Sequence, residues 1–467
     1  MNKQSGSCWQ QERPIGYFFC PSLTRLCDVI EREPYRSSCV HSLLYACRVF
    51  TRSSSCSSVV QIRPRSANIQ QLRLFHTHNY LTFIERIGKA TLSKLQLQQE
   101  LAENAEEYGL THDCNPKPRL FDYVQMMAGA TLSSVEFLVT QTLRIRKIVT
   151  KSDSVVLSVV TKLLDAVCDQ NKCQNGTSTD SDHFHMKTKL LLSPVAINWY
   201  GGWHHARANS AAGFCYVNDC VLAILALLDS DAHFKRVLYL DFDAHHCDAV
   251  QDAFEYTDKV MVVSFHLHEP GFYPGSGRIE EVGSGKGKGF TVNVPLRRGL
   301  IDSQWISLCD RILPSVRSRF SPDVLVVQCG ADCMSQDPTR AFNLTQAALC
   351  HTLSILRNWN VPMLILGGGG YRKQTTAKCW TALTATIVGD EALSSDSEVP
   401  EHPFFLLYGP DYTMGIDRSQ FPNENTEQYL NSVVNTCMRN LDHGIEYKNI
   451  AIQKRNKASF TCSDSDG

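Results

Sequence analysis

The chain has 467 residues, of which 43% are hydrophobic and 20% are charged, and its formal net charge is −1. This composition excludes a mostly disordered or fibrous chain, and the charge balance excludes a strongly basic nucleic-acid-binding protein. No apolar run approaches the roughly 20 residues that cross a bilayer, and the first residues lack the apolar core of a secretory signal. The 19 cysteines include no Cys-x-x-Cys pair, which favours a reduced intracellular protein over a disulfide scaffold.

The chain divides into segments of different character. Residues 1–13 are expected to be a flexible N-terminal extension, and the polar residues 451–467 a C-terminal tail. Residues 14–450 are expected to form one domain, with helix-like patterning over 75–140. An insertion at about 141–194 interrupts this domain. Because its middle is polar and poor in apolar residues, we expect a surface loop that is peripheral to function.

Residues 195–415 alternate between short apolar runs and amphipathic stretches. The runs are VAINW (195–199), RVLYLD (236–241), KVMVVSF (259–265), FTVNVPL (290–296), DVLVVQCG (323–330) and VPMLILGGGG (361–370). Each is nearly continuous and β-branched, which predicts strands buried on both faces of a mainly parallel sheet. Between them lie helix candidates such as 218–228, which begins with the capping residues Asn218 and Asp219. The alternation predicts a single-domain α/β sandwich of three layers around that sheet.

Polar clusters follow four of these runs, at the points where the predicted strands end. They are GGWHH (201–205), DFDAHHCD (241–248), CGAD (329–332) and GGGGY (367–371). In open α/β sheets the site forms outside the carboxyl ends of the strands. We therefore expect the four clusters to converge on one crevice.

Asp243, His245 and Asp332 supply three oxygen or nitrogen ligands and leave a position for water, as a catalytic metal centre requires. Alternation along an extended strand end places Asp243 and His245 on the same side, and Asp332 arrives from another strand. Two carboxylates and one imidazole suit Zn²⁺, although Fe²⁺, Co²⁺ or Mn²⁺ could also be held. The alternative is that these residues are helix caps and surface charges.

His204 and His205 supply two imidazoles beside the predicted metal, and Asp241 and Asp248 supply carboxylates to orient them. A carboxylate that accepts from Nδ1–H leaves Nε2 facing the water. Hydrolysis needs a base for the water and an acid for the leaving group, which adjacent histidines can provide. The alternative is a pair of buried histidines with purely structural hydrogen bonds.

The glycines 367–370 let the backbone approach closely, and Tyr371 offers a phenol to a carbonyl whose oxygen becomes an oxyanion. No Lys-Ser or Lys-Thr follows the glycines, which disfavours a phosphate site. A simple turn is the alternative for the glycine run.

Taken together, these motifs resemble those of one enzyme family. The motifs are NWYGGWHHA (198–206), GFCYVND (213–219), DFDAHHCDAVQDAF (241–254), PGFYPGSG (270–277), QCGAD (328–332) and LILGGGGY (364–371). They are similar to the zinc-dependent histone deacetylases of the arginase–deacetylase fold, class I in particular. LCDVIEREPYRSSCVHSL (26–43) and EYGLTHDCNP (107–116) resemble the class I branch that acts without an obligate corepressor. The resemblance covers about 14–140 and 195–450, and it identifies 14–450 as a deacetylase catalytic domain.

The resemblance implies a role for each candidate residue. The implied zinc ligands are Asp243, His245 and Asp332. The implied catalytic groups are His205 as general base and acid, His204 beside it, Asp241 and Asp248 as their carboxylate partners, and Tyr371 as the group that polarises the carbonyl. The implied substrate-binding and channel residues are Phe214, Tyr273 and Gly213 in the acyl-lysine tunnel, Tyr371 at its end, Asp113 at its rim and Arg36 in an internal channel.

Two monovalent-cation (K⁺) sites are also implied. One would use Asp241, Asp243, His245, Ser264 and Phe265, and the other the backbone oxygens of Phe254, Thr257, Val260 and Phe290. The implied reaction removes acetyl groups from N6-acetyl-lysine in histones and other proteins, in nucleus and cytoplasm, as part of chromatin regulation and transcriptional repression. No direct nucleic-acid or membrane partner is implied.

The chain departs from the family pattern at several positions. Cys247 and Ala249 replace two glycines of the pattern His-His-Gly-Asp-Gly. If position 247 has a positive φ, Cys247 would strain the turn and displace Asp248, and restoring glycine there would raise kcat. If its φ is ordinary, Cys247 packs as a small hydrophobe. Tyr273 replaces a phenylalanine of the tunnel wall, and His112 replaces an aromatic residue at the rim.

Two other functions are weighed against deacetylation. A binuclear manganese ureohydrolase of the same fold would need Asp-Ala-His-x-Asp and a later Asp-x-Asp-x-x-Asp. Here His246 and Cys247 follow the first histidine and only Asp332 comes later, so there are too few carboxylates for two metals. A non-catalytic protein-interaction module is suggested only by the replaced glycines.

Overall fold

The computed structural model describes residues 11–51, 57–88, 98–99, 104–168 and 190–442. The helices are α1 (Pro21–Ile30), α2 (Arg36–Ala46), α3 (Ile69–Leu72), α4 (His78–Gly88), α5 (Leu120–Cys168), α6 (Asp219–Leu228), α7 (Asp248–Phe254), α8 (Asp302–Phe320), α9 (Gln346–Asn358), α10 (Lys373–Val388) and α11 (427–442), with short 3₁₀ helices at His112–Cys114, Gly285–Gly287 and Phe405–Tyr408. The strands are β1 (Gln11–Phe18), β2 (Ser57–Ile62), β3 (Leu190–Leu191), β4 (Val195–Asn198), β5 (Val237–Asp241), β6 (Val260–Leu267), β7 (Thr291–Leu296), β8 (Val324–Gln328) and β9 (Met363–Leu366).

Eight strands form one parallel sheet in the order β2-β1-β4-β9-β8-β5-β6-β7, and the short β3 pairs in parallel with β1. β5 and β8 are neighbours in register, so that Asp241 lies opposite Gln328 at their carboxyl ends. Because all strands run the same way, the segments that follow β4, β5, β8 and β9 meet at one edge of the sheet. The predicted parallel α/β architecture is confirmed.

The two faces of the sheet bury alternate residues of the same strands. In β8, Leu325 and Val327 pack into a core with α2, α8, α9 and α10. Val324 and Val326 pack into a second core with α5, α6 and α7. Burial on both faces explains why these strands are continuously apolar, and the result is the predicted three-layer sandwich.

Each of the six predicted runs contains an observed strand, β4 to β9. Helix α6 begins as predicted, because the Asn218 side chain accepts a hydrogen bond from the Val221 N–H at 3.0 Å. β1 and β2 were not predicted from the sequence, because QERPIGYF and SSVVQI mix polar with apolar residues. β2 lies at an edge of the sheet, where one face and one side meet water and no continuous apolar run is needed.

The predicted flexible extension over 1–13 is wrong for residues 11–13, which begin β1. Arg13 is buried and donates hydrogen bonds to the carbonyl oxygens of Ser193 and Arg357, at 2.9 and 3.2 Å. Burying the guanidinium is compensated by these carbonyl partners, which a sequence pattern does not reveal. Residues 1–10 and the predicted tail at 451–467 lie outside the described residues.

The predicted loop over 141–194 is wrong for its first half. α5 continues without a break through residue 168. Thr142 is buried, and Arg146 lies over the Phe234 ring and hydrogen-bonds the carbonyl oxygen of Ala232. The polar tract that suggested a loop begins only after the helix, and residues 169–189 lie outside the described part of the chain.

Fourteen cysteines of the described residues are free thiols, and all but the half-buried Cys350 are buried. They include Cys220, Cys329 and Cys379, which fill apolar core positions as predicted. Within the described residues, no helix combines the length and the apolar character needed to cross a membrane.

Candidate active site

Three ligand-type side chains converge where β5 and β8 end. Asp243 and His245 follow β5, Asp332 follows β8, and one ligand atom from each lies within 4.8 Å of the others. Gln328 Nε2 donates to Asp243 Oδ2 at 2.8 Å, and the Ala244 N–H donates to Asp332 Oδ1 at 2.9 Å. The other oxygen of each carboxylate faces His245 Nδ1, at 3.0 and 2.9 Å. Asp243 Oδ1 and Asp332 Oδ2 therefore face the same point, and Asp243 Oδ1 also accepts the His245 N–H at 3.1 Å.

The charge at this point suits a cation. Burial raises the pKa of Asp332, and the negative charge of Asp243 raises it further. Burial alone would lower the pKa of His245, but its two carboxylate partners raise it above the ordinary value. Buried carboxylates in such proximity need a positive partner, and a divalent cation supplies more charge than a proton. Two carboxylates and an imidazole therefore fit a transition-metal ion.

The glycine run after β9 forms a wall of this centre, as its composition predicted. The Gly369 N–H donates to Asp243 Oδ2 at 2.8 Å. A Cβ at Gly369 would lie 2.3 Å from Asp332 Oδ2. Only glycine lets the backbone approach the two carboxylates this closely.

His204 and His205 lie beside the three ligands, each with its predicted carboxylate. His204 Nδ1 donates to Asp241 Oδ2 and His205 Nδ1 donates to Asp248 Oδ1, both at 2.8 Å. The two Nε2 atoms are 3.0 Å apart. Because both Nδ1 atoms are donors, the Nε2 contact requires one protonated and one neutral ring.

The electrostatics decide which ring carries the proton. Burial would lower the pKa of His204, but the charges of Asp241 and Asp243 raise it to about 9. Burial and the neighbouring His204 lower the pKa of His205 to about 4. At neutral pH, His205 is therefore the neutral ring, with a lone pair on Nε2 that can accept a proton.

Arg207 extends this chain of contacts to the surface, and the sequence analysis missed it. Its guanidinium Nη2 lies 3.1 Å from Asp248 Oδ2, and Nη1 lies 2.8 Å from the exposed Asp252. The cation thus holds the second oxygen of the carboxylate that orients His205. Its position two residues after His205 in WHHAR is the only signal the sequence offers.

Tyr371 faces the same centre from the end of the glycine run. Its ring lies 6.3 Å from the His245 ring and 5.8 Å from the Phe214 ring. Asp337 Oδ2 accepts the Tyr371 N–H at 2.7 Å, a backbone anchor that the sequence analysis also missed. Burial raises the pKa of Tyr371 well above its usual value, and the nearby carboxylates raise it further, so the phenol keeps its proton.

Two aromatic rings and a glycine line the approach to this centre. Phe214 lies near Tyr371, and the Tyr273 ring packs edge-on against His205 at 4.9 Å between centroids. Gly213 has a φ of 51°, and a Cβ there would lie 2.5 Å from His205 Cδ2. The structure thus brings Gly213, Phe214 and Tyr273 to the approach of this centre, although Tyr273 remains 41% exposed at the opening.

Arg36 lies at the buried end of the site, whereas Asp113 lies at its exposed mouth. Arg36 is buried, pairs with Glu31 at 3.0 Å and donates to the carbonyl oxygens of Gly368 and Gly370 at 2.8 and 3.2 Å. It also lines the cavity that contains His204 and Tyr371. Asp113 is exposed in the 3₁₀ helix at the mouth.

The four polar clusters that follow the strands therefore converge on one crevice, as predicted.

Comparison with known proteins now identifies the family. The Histone deacetylase domain matches residues 31–387. Histone deacetylase 8 of Danio rerio is 36% identical over 92% of this chain and 95% of its own length, and that of Xenopus tropicalis is 35% identical over 91% and 97%. Histone deacetylase 1 of Homo sapiens is 32% identical over 88% of this chain and 70% of its own length.

The chain belongs to the histone deacetylase family. It is therefore a lysine deacetylase, a hydrolase of a metal-dependent family, as the motifs predicted. The motifs resemble histone deacetylase 8 in particular, and the first relatives above carry that name. The roles of individual residues remain predictions, which the geometry supports.

Strain at Cys247, which is one of the two alternatives that the sequence leaves open, is not present. Cys247 has a φ of −80° and a ψ of 58°, so no left-handed conformation is imposed on it. It is fully buried at the start of α7 and packs in the apolar core between α7 and the sheet. Asp248 keeps its hydrogen bond to His205. The hypothesis that Cys247 displaces Asp248 is therefore wrong, and its packing as a small hydrophobe is confirmed.

Proposed function

We propose that this enzyme hydrolyses N6-acetyl-lysine with one bound Zn²⁺, held by Asp243, His245 and Asp332. The observation that carries the proposal is the convergence of three ligand-type side chains, with one ligand atom from each within 4.8 Å of the others, beside a histidine that Asp248 orients. Fe²⁺ and Co²⁺ also suit this donor set. When bound, the metal supplies Lewis acidity to the water and to the acetyl carbonyl.

The chain's own residues orient the substrate and move its protons. The tunnel rings Phe214 and Tyr273 hold the apolar lysine stem, and Asp113 at the rim accepts a backbone N–H of the substrate. The Tyr371 hydroxyl, which burial keeps protonated, donates to the carbonyl oxygen as negative charge develops on it. Arg36 lines the internal channel below.

His205 performs the proton transfers. Its Nε2 accepts a proton from the attacking water and later delivers it to the lysine amine that leaves. Asp248 accepts from Nδ1 at 2.8 Å and holds the ring in that orientation. His204 is tied to Asp241, and its Nε2 lies 3.0 Å from that of His205. Burial, more than this neighbour, lowers the pKa of His205 and keeps its ring neutral before the reaction.

The wider role follows from the family. The proposed substrates are acetylated histone tails and other acetylated proteins, in nucleus and cytoplasm, with chromatin regulation and transcriptional repression as the outcome. An obligate corepressor, a nucleic-acid contact and a membrane contact form no part of the proposal. The two K⁺ sites are proposed at the residues given above, and Ser264 and Asp241, which belong to the first, lie opposite each other on β6 and β5.

The test is metal content together with acetate release from an acetyl-lysine peptide. We expect one Zn²⁺ per chain and turnover that a chelator abolishes and Zn²⁺, Fe²⁺ or Co²⁺ restores. Asp332→Ala should lose both metal and turnover, whereas Asp310→Ala, at an exposed carboxylate of α8, should keep both. Two tightly bound metals per chain, or turnover by metal-free protein, would contradict the proposal.

A further inference from the structure

A second cavity opens beside the mouth of the tunnel. It has a volume of about 390 Å³. Arg32 and Phe214 line both this cavity and the one that contains His204, His205 and Tyr371. The two cavities therefore adjoin at the Arg32–Phe214 contact. A side chain next to an acyl-lysine in the tunnel would reach the second cavity first.

Arg32 presents a guanidinium that has no ion-pair partner among the described residues. It is exposed, and its Cζ lies 5.6 Å from the centre of the Phe214 ring. The two acidic residues beside it in sequence are already paired: Glu31 with Arg36 at 3.0 Å and Glu33 with Lys373 at 3.2 Å. No carboxylate of the described residues pairs with Arg32.

Lys117 adds a second cation to the cavity. Its Nζ donates to the Val29 carbonyl oxygen at 3.0 Å, a neutral partner that leaves the positive charge in place. Asp113 is the carboxylate in the lining, and the proposed function assigns it to a backbone N–H of the substrate. The cavity therefore offers the positive charges of Arg32 and Lys117 to a substrate side chain. Its one carboxylate, Asp113, is assigned to the substrate backbone.

The cavity is also held in shape. The Tyr216 hydroxyl donates to the Asn115 carbonyl oxygen, and Asn115 Nδ2 donates to the His112 carbonyl oxygen, both at 2.8 Å. These bonds fasten the segment that carries Asp113 and Lys117. A preformed site loses less conformational entropy when a ligand binds than a loose one.

We propose that this cavity, the acid subsite, binds an aspartate or glutamate side chain that flanks the acyl-lysine, with Arg32 and Lys117 as its cationic partners. The proposal rests on the proposed function, because the acyl-lysine must occupy the tunnel. Exposed ion pairs are individually weak, so two of them predict a preference of about 3- to 10-fold. The preference falls as salt screens the charges.

The experiment uses acetyl-lysine peptides in which each of two residues on either side is in turn Glu, Gln or Lys. We expect kcat/KM to be about 3- to 10-fold higher for Glu than for Gln at one position or more, and lower for Lys. Arg32→Glu should reverse this order. Arg25→Glu is the matched control: it makes the same charge change on α1 but lines neither cavity, so the order should persist.

A second measurement separates this proposal from the proposed function. Binding of the same peptides to Tyr371→Phe, by fluorescence anisotropy, should show the same Glu preference in Kd without turnover. Turnover of the Gln peptide without any Glu preference would overturn the acid subsite and leave deacetylation intact. A Glu preference that Arg25→Glu removes as fully as Arg32→Glu would also overturn it, because net charge alone would then explain the preference.

Discussion

Asp243 and Asp332 each hold one oxygen by a hydrogen bond from the protein and direct the other towards His245, and the Asp243 oxygen near His245 also accepts the His245 N–H at 3.1 Å. One oxygen accepts a hydrogen bond from Gln328 or from the Ala244 backbone, and the other faces His245. Fixing one oxygen leaves a single orientation for the other, so the ligand atoms are in place before a metal arrives. At the scale of single residues, the site is thus preorganised by hydrogen bonds to its ligands.

Tyr371→Phe tests the role of the phenol. We expect kcat for an acetyl-lysine peptide to fall by roughly 10²-fold or more, because one donor to the developing oxyanion is lost. The fold should be retained, because the backbone N–H of this residue still bonds Asp337. Thermal unfolding and metal content serve as controls. A kcat like that of the wild type would show that another group polarises the carbonyl.

Cys247→Gly tests the departure from the family pattern. Because the φ of Cys247 is −80°, glycine relieves no strain, and kcat should stay within about twofold of the wild-type value. The free energy of unfolding should fall by about 1 kcal/mol, since glycine adds backbone entropy to the unfolded chain and a buried thiol is lost. Ala249→Gly in α7 is a control of similar expected cost. An increase in kcat for Cys247→Gly would restore the strain hypothesis.

At the scale of elements, one buried ion pair connects α1 and α2 to the active site. Glu31 follows α1 and Arg36 begins α2, and their side chains are 2% and 5% exposed. The Arg36 guanidinium also donates hydrogen bonds to carbonyl oxygens of the glycine run after β9. It lies over the Trp203 and Trp380 rings, 5.6 and 5.3 Å from their centres. A single side chain thus joins two N-terminal helices to the wall of the metal centre.

Arg36→Met should destabilise the protein by about 3–5 kcal/mol, because Glu31 is left buried without its cation. The double variant Glu31→Gln/Arg36→Met should recover part of this loss. Arg119→Met, which breaks an exposed pair with Asp122, should cost less than about 1 kcal/mol. Urea unfolding measures all three. Equal losses for the buried and exposed pairs would contradict the argument.

His41 of α2 makes the contact with β1 sensitive to pH. The ring hydrogen-bonds the Tyr17 hydroxyl, and burial lowers the pKa of His41 to about 3. The unfolded chain therefore binds this proton more readily than the folded one. The contribution to stability is complete above about pH 6.5 and is lost as the pH falls towards about 3. His41→Gln should reduce the fall of the melting temperature on acidification. A variant with an unchanged pH profile would show that other groups cause that fall.

At the scale of the whole molecule, one sheet edge gathers segments that are far apart in sequence. The ends of β4, β5, β8 and β9 bring the two histidines, the metal ligands and Tyr371 to one crevice. Helices on both faces bury the sheet that holds these ends in place. We therefore expect a metal bound at the three proposed ligands to stabilise the entire sandwich.

Removing the metal should lower the melting temperature of the whole domain. A ligand present at about 100 times its Kd adds roughly 2.7 kcal/mol, which for a domain of this size corresponds to about 3 °C. Calorimetry with and without a chelator measures the shift, and Zn²⁺ should reverse it. Asp332→Ala should show no shift with the chelator. A shift of equal size in that variant would mean that the chelator acts elsewhere.

The sequence by itself determined the features that depend on local pattern. Six strands were predictable because burial on both faces requires continuous apolar runs, and α6 because Asn218 caps it. Asp243 and His245 were predicted to share one side of an extended strand end, but they lie in a bend that follows β5 and come together there. Parallel topology required the clusters to meet, so the convergence of these residues with Asp332 and the two histidines could be predicted without coordinates.

Only the tertiary structure decided the features that depend on distant partners or on backbone angles. The contacts of Arg207 with Asp248 and of Asp337 with the Tyr371 backbone join residues with no common pattern. β1 and the extended α5 gain their burial from neighbours rather than from their own periodicity. The φ of Cys247 is set by the turn between β5 and α7. The apolar pattern of a segment predicts which of its residues are buried, whereas the residues that they contact depend on the tertiary fold.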